Sequence, residues 1–88
     1  MKTIIFVHKS TNSISSHRHL LNAIPTATAE MEETKVGTYI TYPTKKEACD
    51  ALNKGYRNLL ADEPGQKGTS IKFGAGTLRY DASYAEII

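Results

Sequence analysis

One cysteine, Cys49, in 88 residues leaves no intramolecular disulfide and no cysteine-based metal site. No apolar run approaches the ~18 residues that a transmembrane helix requires. The opening Met1-Lys2-Thr3-Ile4-Ile5-Phe6-Val7 holds four consecutive apolar residues before His8 and Lys9. A secretory core needs roughly 7–15 of them. There is no run of five basic residues, no internal repeat, no low-complexity tract and no linker between domains. Eleven Lys+Arg against nine Asp+Glu leave a net charge of +2, far from that of a histone-like tail. These absences exclude a membrane-spanning helix, a disulfide scaffold and a charge-driven tail. They leave one small α+β domain over residues 1–88, in a reducing, cytoplasmic setting by default.

Groups that do chemistry are sparse as well. His8, His17 and His19 flank a Ser/Thr-rich loop, but on a helix His17 and His19 point about 200° apart. No nearby Cys, Asp or Glu completes a tetrahedral metal set. Lys9 to Arg18 offers hydroxyls and basic groups to an anion, yet lacks the glycines that let a backbone cradle phosphate. Ser13 reads there as a helix cap. Ser10, Ser13, Ser15 and Ser16 have no carboxylate nearby to orient a histidine base. Cys49 falls on the inward side of a helix, where it acts as a small hydrophobe. Glu30, Glu32 and Glu33 would need a cleft to act as paired carboxylates. The expectation is a protein that is not an enzyme and that uses no metal or cofactor.

What the chain does contain is clear punctuation. Residues 2–8 are β-branched and aromatic, and their continuous apolar run suits a central strand covered on part of both faces. A helix capped by Ser13 runs to Ile24 with Ile14, Leu20, Leu21 and Ile24 as its stripe, and Pro25 ends it. Thr26 to Glu33 and Val36 to Tyr42 alternate as two strands of a hairpin around Glu33-Thr34-Lys35. Thr44-Lys45-Lys46-Glu47 is a capping box. It opens a helix with Ala48, Leu52, Tyr56, Leu59 and Leu60 inward and Lys46, Asp50, Lys54 and Arg57 outward. Gly55 in its middle, unfavourable by ~1 kcal/mol relative to Ala, suggests close packing. Asp62-Glu63-Pro64-Gly65 stops it. Ser70 to Phe73 and Thr77 to Tyr80 form a second hairpin around Gly74-Ala75-Gly76. Asp81 onward reads either as a strand or as a capped helical turn. The apolar end, Ile87-Ile88, suits a sheet edge or a subunit interface.

The order β-α-β-β-α-β with an extra C-terminal strand or hairpin fits a ferredoxin-like plait, an antiparallel sheet with two helices on one face, with a one-domain α+β sandwich of different strand order as the alternative. In this layout Ile5-Phe6-Val7 resembles the shorter sheet motif of RNA-recognition-motif domains. Lys35-Val36-Gly37-Thr38-Tyr39-Ile40-Thr41-Tyr42 resembles their longer one, and Pro43 to Asn53 is similar to their second helix. The chain departs from the family pattern at Val36-Gly37 and at His8-Lys9-Ser10. The resemblance implies that Phe6 and Tyr39 stack on bases and that Lys35 contacts phosphate.

Strand parity points the same way. With Ile5, Val7, Val36, Thr38, Ile40 and Tyr42 facing the helices, Phe6 and Tyr39 face outward from adjacent strands, the alternative being that the C-terminal strands cover one of them. The expected function is therefore a small binding module. The open sheet face would bind RNA or single-stranded DNA, with Phe6 and Tyr39 stacking and Lys35 and Lys72 on phosphates. A protein–protein interaction or homodimerisation domain, using the same face or the C-terminal strand, is the alternative. No membrane partner is expected.

Overall fold

The computed structural model describes residues 1–9, 14–62, 71–80 and 83–88. Its elements are β1 (Thr3–His8), α1 (Ile14–Ala23), β2 (Glu30–Glu33), β3 (Gly37–Tyr42), α2 (Lys45–Asp62), β4 (Ile71–Gly74), β5 (Thr77–Tyr80) and β6 (Ser83–Ile87). All neighbours in the sheet are antiparallel, in the order β2-β3-β1-β6-β5-β4. The protein is thus a small α+β fold with a six-stranded antiparallel sheet and two helices. No described helix is long and apolar enough to cross a membrane.

The strand order differs from that of a simple plait. There, the strand following the second helix lies beside the first strand. Here β4 lies at the far edge, and the chain returns through β5 to β6, which takes the place next to β1. Side-chain chemistry accounts for the choice. β6 turns Ala85 and Ile87 toward the helices beside Val7 and Ile5, and Ala85 is fully buried. β4 carries the exposed Lys72 and Gly74, which an edge tolerates. Residues 83–87 are therefore strand; Ile87 lies in it, half-buried, and Ile88 is exposed in the single chain.

One core holds both helices against one face of the sheet. Ile5, Val7, Ile40, Tyr42, Ile71, Leu78 and Ala85 meet Leu20, Ala23 and Ile24 of α1 and Ala48, Ala51, Leu52 and Leu59 of α2. A β-carbon at Gly55 would come 2.9 Å from Ile24 Cγ1 and 3.2 Å from Leu78 Cδ2, so its hydrogen permits α2 to lie this close. The Asn58 amide donates to the Ala23 carbonyl at 2.8 Å, capping the end of α1 from α2. At the start of α2 the Glu47 N–H donates to Thr44 Oγ1 at 3.2 Å, the expected half of the capping box. Cys49 is half-buried rather than inward.

The first hairpin is tighter than the alternation implies. The Ala29 N–H donates to the Thr26 carbonyl at 3.1 Å. That turn after Pro25 shortens the strand expected from Thr26. Thr34 Oγ1 donates to the Gly37 carbonyl at 2.8 Å and accepts from the Val36 and Gly37 N–H groups. This hydroxyl-centred turn takes Val36 out of the strand and leaves it 63% exposed. The Ser13 cap and the Glu63-Pro64-Gly65 stop lie outside the described residues.

Candidate functional site

The face away from the helices follows from the pairing register. It receives Glu30 and Glu32 from β2, Gly37, Tyr39 and Thr41 from β3, and Ile4, Phe6 and His8 from β1. Tyr84 and Glu86 of β6, Thr77 and Arg79 of β5, and Lys72 and Gly74 of β4 complete it. Among the described residues no element packs on this face.

An unbroken row of rings crosses its middle. Tyr39 and Phe6, direct cross-strand partners, have centroids 4.5 Å apart. Phe6 meets His8 edge-on at 4.4 Å, and His8 stacks on Tyr84 at 3.9 Å. Arg79, paired with Tyr84 across β5 and β6, sets its guanidinium carbon 5.0 Å from that ring's centre. His8 Nε2–H donates to Glu86 Oε1 at 3.0 Å, which fixes the ring in the row. The charges sit at opposite ends: Glu30 and Glu32 beyond Tyr39, Lys72 and Arg79 beyond Tyr84.

Sequence reasoning thus places Phe6 and Tyr39 together on the outward face, as the register bears out. Phe6 is nevertheless only 8% exposed, because Tyr39, His8 and the bare backbone of Gly37 surround its ring. The expectation of a freely exposed Phe6 is corrected on that ground: the cover comes from its own face. Lys72 is exposed on this face at β4. Lys35 lies in the β2–β3 turn, with four strand spacings of ~4.8 Å separating β3 from β4. The two lysines therefore do not converge on one site.

His8, Tyr84, Arg79 and Glu86 were not singled out for this surface by sequence reasoning. The alternation of residues 83–87 was the signal for Tyr84 and Glu86, since a strand there puts both opposite Ala85 and Ile87. The sequence offers His8 as a metal or phosphate ligand or a serine's base, though it shares the parity of Phe6.

On the helix side, a groove of about 270 Å³ is lined by Lys9, His17, Arg18, Leu21 and Glu33. It resembles an anion site, but Glu33 supplies the anion from within, its carboxylate 2.7 Å from Lys9 Nζ. Lys9, by that hydrogen bond and its charge, holds the Glu33 carboxyl below the ordinary carboxylate range, with smaller help from Arg18. His17 is buried and structural. Its Nδ1–H donates to the His8 carbonyl at 3.1 Å, so Nε2 accepts from Thr38 Oγ1 at 3.2 Å. No protein-family model, no curated protein and no solved structure matches this chain.

Proposed function

We propose that the protein is a non-enzymatic interaction module that binds a protein partner through the open sheet face. The observation that carries this reading is the row Tyr39–Phe6–His8–Tyr84–Arg79, whose members pack against each other. A base needs a free ring face to stack on. Phe6 is covered, and Tyr84 has His8 on one neighbouring strand and Arg79 on the other. Packed aromatic patches rimmed by charge suit the centre of a protein interface. In this reading the fold is a ferredoxin-like plait of β2-β3-β1-β6, widened at one edge by the β4–β5 hairpin. The widening adds the basic end of the face.

A second reading keeps single-stranded RNA or DNA as the ligand, in line with the resemblance to RNA-recognition-motif domains. The exposed cross-strand pair Lys72–Arg79, beside Tyr84, favours it. Phosphate contacts there would release counterions and give steep salt dependence.

A photo-reactive residue in place of Thr41, on this face but outside the row, tests the first reading. We expect covalent adducts to protein in cells, and none from the same group at the outward-facing Lys46 of α2. Equal adducts at both positions, or none at Thr41, would remove the proposal. Titration with single-stranded oligonucleotides at two salt concentrations decides for the second reading if affinity falls steeply with salt and Lys72→Ala flattens that slope by about one.

A further inference from the structure

The geometry points to a second copy of this chain as the partner, docked face to face about a two-fold axis running parallel to the strands. This inference rests on the interface reading above and deepens it by naming the partner. Two identical sheets meeting face to face share a two-fold axis lying in the plane of contact. An axis perpendicular to the strands would set β2 over its own copy, opposing Glu30 and Glu32 to themselves and Lys72 and Arg79 to themselves. An axis along the strands, above the line between β1 and β6, instead sets β2 over β4 of the second copy and β3 over its β5. The acidic edge strand then covers the basic edge strand at both rims, with Lys72 two residues along from Glu32 by the pairing register, and β1 with Phe6 and His8 covers β6 with Glu86 and Tyr84.

Width makes the rims matter. The outer strands of six lie about 24 Å apart, at ~4.8 Å per spacing. A stable interface takes about 800 Å² from each partner. A face this size supplies that only when covered from edge to edge, so the charges at both edges fall within the contact. Glu30, Glu32, Lys72 and Arg79 are all exposed in the single chain and available for it.

Charge reversal followed by mixing tests the arrangement. The purified protein is sedimented over rising concentration, alongside the variants Glu30→Lys/Glu32→Lys and Lys72→Glu/Arg79→Glu, each verified as folded by circular dichroism. A variant that loses its fold is replaced by its half-reversed form, Glu32→Lys or Lys72→Glu. We expect a wild-type dimer, self-association of each variant weakened by about tenfold or more, and heterodimers on mixing the two. A wild-type monomer at every concentration would overturn the inference, as would a dimer indifferent to either reversal, or variants that mixing fails to rescue. If the wild type is monomeric while the Thr41 probe still captures protein, the second copy alone is wrong. If Thr41 captures nothing, the interface reading falls with it.

Discussion

The ring of Phe6 lies over the backbone of Gly37, so close that a β-carbon there would sit 2.6 Å from two ring atoms and 2.5 Å from the Val7 carbonyl oxygen. The missing side chain at Gly37 is what permits the aromatic row to settle against the sheet. Among the described residues only Gly76 is a glycine with positive φ, so Gly37 is needed for space and not for an unusual backbone. Replacing glycine by alanine in ordinary backbone stabilises by ~0.4–1 kcal/mol through the unfolded chain. Here one of the clashing atoms is backbone and cannot swing aside. Gly37→Ala should destabilise by about 1–3 kcal/mol, the range for overpacking. Urea unfolding measures it, and an unchanged or raised midpoint would mean that Phe6 does not rest on Gly37.

Thr44 closes the first turn of α2 through its hydroxyl. Thr44→Ala removes the acceptor for the Glu47 N–H and should lower stability by ~0.5–2 kcal/mol. Thr44→Ser keeps the acceptor and should stay near wild type. If both variants lose equally, the hydroxyl bond is not what holds the turn.

These contacts also mark how far the sequence could be read. The capping box, the tight packing at Gly55 and the common face of Phe6 and Tyr39 depend on local spacing and strand parity, which neighbouring residues dictate. The position of β6 depends on β1, so that Phe6 pairs with Glu86 from the other end of the chain. Alternation determines which side chains share a face but not which strand lies next to which. Only the sheet order brings Tyr84 beside His8, and Arg79 beside Tyr84. The cover over Phe6 was illegible for a related reason. It needs Gly37 two positions before Tyr39, with rings from two strands, Tyr39 and His8, closing around it.

The β4–β5 hairpin turns through Ala75 at φ 53° and Gly76 at φ 77°. Two successive left-handed residues form the turn whose twist matches the flanking strands. Gly76 suits that conformation, whereas a left-handed alanine is unfavourable by roughly 1–2 kcal/mol. Ala75→Asn, which tolerates the conformation better, should raise stability by ~0.5–1 kcal/mol. Gly76→Ala should lower it by about 1 kcal/mol or more. Thermal unfolding of both gives the comparison, and shifts of the same sign would rule out this turn.

Tyr42 governs the response to alkali. Its side chain is buried at the end of β3, and its hydroxyl donates to the Pro25 carbonyl at 2.5 Å. Burial pushes the phenol up to about 12 from its ordinary 10.0. The unfolded chain can therefore release this proton near 10, whereas the folded chain holds it until about 12. A group raised in this way stabilises the fold fully below the unfolded value. Its contribution then fades as pH climbs through the window between the two. Tyr42→Phe cannot ionise and leaves the Pro25 carbonyl without its donor, so at neutral pH it should be less stable by ~0.5–1.5 kcal/mol. Above pH 10 the wild type should decline more steeply than the variant, and the two denaturation midpoints should converge. Parallel decline of both proteins through that window would show that Tyr42 ionises as easily folded as unfolded, and that its hydroxyl is not held against Pro25.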